Sequence, residues 1–88
     1  MSLNPEVSVV MSAFNSEEFI SDSINSILNQ EFKDFEFIIV NDGSTDNTLS
    51  IINKYQKIDN RIKVINQKNC GLTRSLNNAV SVANSNFI

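Results

Sequence analysis

The chain has 88 residues, 41% of them hydrophobic, with 10 acidic against 7 basic side chains for a net charge of −3 and no histidine at all. That size holds one small domain with a modest core. An acidic balance without a Lys/Arg cluster lacks the electrostatic footprint of a nucleic-acid or anionic-membrane binder, so no nucleic-acid partner is expected.

Residues 1–6 are polar with Pro5 and read as a disordered or cloning-derived N-terminus; the domain proper is 7–88. Residues 7–13 are rich in β-branched side chains and apolar on both alternating faces at Val9, Val10 and Met11, which suits a strand covered on each side. Asn15 or Ser16 can then cap a helix, with Glu17 and Glu18 in its first turn and Ile20, Ile24, Ile27 and Leu28 on one buried face. A polar turn at Lys33 and Asp34 leads to a second strand at 35–40, about thirty residues after the first, the spacing of a βαβ unit with a right-handed crossover. A second helix is expected at 46–57 with Leu49, Ile52 and Tyr55 inward, and a third strand at 61–65. After a polar loop at 66–71, Leu72, Leu76, Ala79, Val80 and Ala83 space out the inner stripe of a third helix ending near Asn84. Phe87 and Ile88 read as the first residues of a fourth strand, so the domain reads as truncated. The fold class is therefore α/β, a three-layer Rossmann-like parallel sheet ordered 3-2-1. Apolar runs fall far short of the roughly 20 residues that span a bilayer, and no basic-then-hydrophobic leader is visible. A lone Cys70 cannot close an internal disulfide and fits a reducing, cytoplasmic setting.

Parallel strands place their carboxyl ends on one side, so Phe14 and Asn15, the turn from Asn41 through Gly43, and the 66–71 loop should converge on one crevice. Asp42 there either accepts a ligand N–H or hydroxyl or organises its own turn. Phe14 either stacks on a flat base or belongs to the core. Asp46 reads as a helix cap outside the site. Gly71 before a helix lets backbone amides approach a phosphate, with Arg74 one turn in as countercharge; a plain turn and a solvated arginine are the other reading. Neither a Walker loop nor a GxGxxG is present, a Ser/His/Asp set is impossible without histidine, and no metal-ligand cluster can be assembled from these loops. The chain carries a binding half-site without a visible catalytic group.

Taken together, VSVVMSAFN at 7–15, Glu17, the helix end SILNQ at 26–30, VNDGSTDNT at 40–48 and NCGLTRSLNNAV at 69–80 resemble the nucleotide-binding half of family 2 glycosyltransferases with the GT-A fold. The resemblance implies transfer of a sugar from a nucleotide-diphosphate sugar, with a UDP-sugar the expected donor, to a glycan or lipid-linked acceptor, usually with inversion. It also implies a divalent cation, Mg or Mn, whose ligands and the catalytic base lie outside this chain, so the isolated chain should be inactive. Cell-surface polysaccharide biosynthesis, possible association of copies through the sheet edge, and a cytoplasmic location at the inner membrane face go with it.

Carried onto this sequence, Phe14 stands where the family has a tyrosine near the base, Asn15 and Glu17 match the polar positions after it, and Asp42 matches the base-bonding carboxylate. Gly43, Asn69 and Gly71 match backbone beside the nucleotide. Phe14 lacks the tyrosine hydroxyl and Asn41 replaces a frequent aspartate. Leu76-Asn77 replaces an Arg-Asn pair, with Arg74 two positions earlier and so turned by about 200°. The alternatives from other classes are a non-enzymatic nucleotide-binding or interaction module and a phosphoryl receiver. A receiver would place an acidic pair where this chain has Ala13, Phe14 and Asn15.

Overall fold

In the computed structural model the described residues are 5–85. The start of the expected N-terminal tail and the expected fourth strand at Phe87 and Ile88 lie outside them. Strands and helices alternate as β1 (Val7–Ala13), α1 (Ile20–Leu28), β2 (Phe35–Asp42), α2 (Thr48–Ile58), β3 (Ile62–Gln67) and α3 (Leu72–Ser81). The sheet is parallel and ordered β1-β2-β3, the expected 3-2-1 arrangement.

Every residue of β2 is buried, which explains why FEFIIV reads as a continuous apolar run rather than an alternating one. Its side chains still divide by period two. Phe35, Phe37 and Ile39 pack with Ile20 and Ile24 of α1, Ile52 of α2 and Ile62 of β3, forming the larger core. Ile38 and Val40 point the other way, to Ala79 of α3 with Val10, Ile65 and Ala83 alongside. Full burial of a side chain such as Ile24 or Phe37 contributes about 1.5 to 3 kcal/mol.

The sheet is longer than the sequence suggests. Asn41 and Asp42 are the last rungs of β2, opposite Asn66 and Gln67 of β3, so four polar residues expected in loops are held in register by the ladder. The α1 entry also differs. Neither Asn15 nor Ser16 caps it by a side chain; the Ser16 carbonyl accepts the Phe19 and Ile20 amides, and the helix begins at Ile20. α2 begins at Thr48 rather than Asp46, and Leu49 is only half-buried.

The third helix corrects the expected stripe in part: Ala79 and Ala83 pack inward as expected and Leu76 is half-buried, but Leu72 and Val80 are not covered. Ser75 and Ala79 are fully buried, whereas Leu72 is 64% and Val80 43% exposed. Helical spacing allows either stripe, and polar bonds at the start of α3 choose between them. Gln67 Nε2 donates to Ser75 Oγ at 2.9 Å, and Asp42 accepts the Cys70 and Gly71 amides at 2.8 and 3.1 Å. With that turn fixed, small side chains face the sheet and the helix packs closely against it.

At the opposite end of the same face, the buried Glu36 carboxylate accepts Lys63 Nζ at 2.7 Å, Ser8 Oγ at 2.5 Å and the Asn84 amide at 2.6 Å. Burial pushes the Glu36 carboxyl up, but the bonds from Lys63, Ser8 and Asn84 outweigh it and hold the group below its ordinary value. Among the described residues, no buried side-chain nitrogen or oxygen lacks a partner.

Candidate functional site

The carboxyl ends of the three strands open on one side, and the β1–α1, β2–α2 and β3–α3 loops meet there. The first two loops are bonded reciprocally. Asn15 Oδ1 accepts the Thr45 amide at 2.8 Å, while the Asn15 amide donates to Ser44 Oγ at 3.0 Å. Glu17 Oε2 accepts the Asn47 amide at 3.2 Å, and the Glu17 amide donates to Asp46 Oδ2 at 3.3 Å. The Ser16 amide donates to Thr48 Oγ1 at 2.8 Å. Asn15 takes a left-handed backbone, φ +47°, a conformation asparagine tolerates better than most residues. Phe14 stands just before this kink, one residue past the carboxyl end of β1, and is half exposed, at 50%, rather than in the core.

Asp46 does accept the Thr48 amide at 2.9 Å, as a carboxylate at a helix start does, but its other oxygen ties the two loops together. Hydrogen bonding from Thr48 is the chief cause holding its carboxyl below the ordinary value.

Asp42 lies on the α3 face of the sheet, and its carboxylate is already partnered. Oδ1 accepts Gln67 Nε2 at 3.0 Å and the Cys70 amide at 2.8 Å; Oδ2 accepts the Gly71 amide at 3.1 Å. Those donors, Gln67 first, lower its pKa to about 2, so it is ionised at neutral pH. Asp42 orders the β3–α3 loop across from it rather than its own turn. Oδ2, with a single bonded donor, retains acceptor capacity.

Two glycines are fixed by this arrangement. At Gly43, φ +75°, a Cβ would stand 2.5 Å from the Asn69 backbone nitrogen, so the β2–α2 turn and the β3–α3 loop touch only because no side chain intervenes. Asn69 reinforces the contact by donating Nδ2 to the Asp42 carbonyl at 3.2 Å. Gly71 has open space around it and is needed for its φ of +91°.

Two open clefts flank the junction. One, about 580 Å³, is lined mostly by neutral polar residues including Asn41, Ser44, Asn66 and Asn69, with Leu49 and Lys68. The other, about 540 Å³, lies along the start of α3 between Cys70, Gly71, Arg74 and Asn77. Arg74 is exposed and makes no ion pair among the described residues.

Phe14, Asn15, Glu17, Asp42, Gly43, Asn69, Gly71 and Arg74 thus all fall at this end of the sheet, although Asn15 and Glu17 are engaged between loops. Sequence reasoning missed Gln67, which joins Asp42, Cys70 and Ser75 and accepts Asn78 Nδ2 at 2.7 Å. It also missed the Asn41 and Asn66 amide pair, at 2.8 Å. Both pairs are visible once β3 is extended to residue 67, because each joins residues directly opposite in register.

Among the described residues, no three Asp, Glu, Cys or His side chains come together to hold a metal ion, and both Asp42 oxygens are hydrogen-bonded. The described residues do not fit a divalent cation. No helix among them is long and apolar enough to cross a membrane.

Residues 8–88 match the family described as Glycosyl transferase family 2, and the chain belongs to that family. An uncharacterized glycosyltransferase of Haemophilus influenzae is 50% identical over 74 residues, covering 83% of this chain and 23% of its own length. The chondroitin synthase of Pasteurella multocida is 40% identical over 84 residues, covering 96% of this chain and 9% of its own length. This chain therefore spans a quarter or less of these curated relatives. Among solved structures, the mannosyltransferase PcManGT of Pyrobaculum calidifontis, in complex with GDP-Man and Mn2+, superposes on 93% of this chain and 25% of its own with a TM-score of 0.82 at 22% identity. That likeness is one of fold, the α/β GT-A type.

Proposed function

We propose that this chain forms the donor-binding part of a glycosyltransferase that moves a sugar from a nucleoside-diphosphate sugar to a glycan or lipid-linked acceptor, with inversion, in cell-surface polysaccharide synthesis. The observation that supports this reading is that an ionised Asp42, a half-exposed Phe14 and the Gly71–Arg74 helix start all lie at the carboxyl end of the sheet in a family 2 chain. The chondroitin synthase relative supports the polysaccharide assignment.

In this reading Phe14 stacks on the base while Asp42 Oδ2 accepts a base N–H, which favours uracil over a base presenting only an acceptor there. The amides following Gly71, with the Arg74 guanidinium, draw the diphosphate. Asn69 and Gly43 shape the backbone beside it. A divalent cation, Mg or Mn, would be held, and the catalytic base supplied, by residues other than 5–85, the cation neutralising charge on the leaving diphosphate. Work at the cytoplasmic face of the membrane follows from the donor chemistry. Copies of the chain associate through the β1 edge, bonded by a neighbouring strand on one side only among the described residues.

NMR titration with uridine diphosphate tests the site. Base stacking and one or two charge-assisted hydrogen bonds correspond to a Kd on the order of millimolar. Shifts should concentrate at Phe14, Asp42, Gly43 and Gly71, Asp42→Asn should weaken binding, and the chain alone should not hydrolyse a UDP-sugar. Absence of saturable shifts at these residues, or turnover above a blank, would overturn the assignment.

A further inference from the structure

We infer that Asn15, Glu17 and Asp46 are positioning residues: they join the β1–α1 and β2–α2 loops into one rigid wall and thereby fix the half-exposed Phe14 ring at the carboxyl end of the sheet. A loop that serves only its own helix bonds its own amides. Here the donors and acceptors are exchanged between segments about thirty residues apart in sequence. Asn15 and Glu17 give side-chain oxygens to the Thr45 and Asn47 amides. In return Ser44, Asp46 and Thr48 give side-chain oxygens to the amides of Asn15, Glu17 and Ser16.

Asn15 Oδ1, which takes both the Thr45 amide and its hydroxyl, and Glu17 Oε2, which takes the Asn47 amide, are thus directed at the facing loop. The left-handed kink at Asn15 follows directly on Phe14, and Ser16 Oγ donates back to the Phe14 carbonyl at 3.1 Å. Release of the clasp therefore frees the backbone that aims the ring. Only the ligand arm of this inference rests on the nucleotide reading above.

The test compares Asn15→Gly, which keeps the left-handed backbone but loses the oxygen, with Asn15→Asp, which keeps an acceptor, and with Asp46→Ala, at a residue sharing no hydrogen bond with Phe14. The readouts are amide exchange at Thr45 and Asn47, the Phe14 ring resonances, and uridine diphosphate titration. Asn15→Gly should speed Thr45 exchange about tenfold and weaken uridine diphosphate about fivefold, on the scale of one lost hydrogen bond. It should also move the Phe14 resonances, and Asn15→Asp should restore all three. Asp46→Ala should move the Phe14 resonances from the other loop.

Unchanged Phe14 resonances in both Asn15→Gly and Asp46→Ala, with Thr45 deprotected, would overturn the inference. So would Asn15→Gly weakening the ligand while Phe14 stays put, since that marks a direct contact. If the unaltered chain binds no uridine diphosphate, the nucleotide reading fails, and the ring and exchange measurements still decide the clasp.

Discussion

The two faces of the sheet are built on different terms. The α1/α2 face is filled by Phe35, Phe37, Ile39, Ile24 and Ile52, large side chains that two helices seal from water. The α3 face has one helix, which meets the sheet through Ser75 and Ala79 and leaves Leu72 and Val80 outside. Its polar groups sit at the two ends, with the Glu36 network at the amino end of β2 and the Asp42 network at the carboxyl end. Burial therefore supplies most of the stability on one face, while directed hydrogen bonds set geometry on the other.

The largest expected effect falls on the sealed face. Ile24→Ala should cost about 2 to 5 kcal/mol, and Phe37→Ala about 3 to 5 kcal/mol, by leaving a cavity between closely packed helices and sheet. Urea unfolding followed by circular dichroism checks it, and a loss under 1 kcal/mol would mean that this face does not carry the fold.

Acid should reveal the other face. Glu36 and Asp42 both have folded pKa values below their ordinary 4.5 and 3.8, with Asp42 at about 2, so the unfolded chain takes up more protons across that interval. Their contribution is fully present above those ordinary values and is lost as pH falls from there toward 2. Unfolding midpoints measured from pH 6 to pH 2 should show this fall, and Glu36→Gln should flatten its upper part. Asp46 and Asp59, whose carboxyls are also held low by Thr48 and Arg61, add to the fall, so the Glu36→Gln difference isolates the Glu36 part. An unchanged profile in that variant would contradict the Glu36 network.

The smallest effect is expected at the uncovered surface of α3. Leu72→Ser should change stability by less than about 0.5 kcal/mol. A loss comparable to that of Ile24→Ala, in the same urea assay, would show that α3 packs through Leu72 after all.

This contrast also explains what could be read from the sequence. Element order, the parallel sheet and the strand-turn-helix junction at Asp42 follow from periodicity and glycine placement, which are local signals. Rotation of α3 followed only in part: Ala79 and Ala83 of the expected stripe pack inward, whereas Leu72 and Val80 do not, because the tertiary bonds of Gln67 and Asp42 turn Ser75 inward instead. For the same reason Asn15 and Glu17 could be placed at the crevice but not assigned to the facing loop. Their partners lie about thirty residues away, and hydrogen-bonding residues without a periodic pattern do not announce which amide they will meet.

The pairing of Asn41 with Asn66 and of Asp42 with Gln67 gives the order of two neighbouring letters a geometric meaning. Successive strand residues project to opposite faces, so the dipeptide Asn-Asp delivers a neutral amide to the α2 side and the negative charge to the α3 side. The reversed dipeptide would carry the same composition and net charge yet place the anion among the first turns of α2, away from the Cys70 and Gly71 amides. Which side of this sheet is electrically suited to a ligand is thus a matter of parity along one strand, and a one-residue insertion anywhere in β2 upstream of Asn41 would invert it.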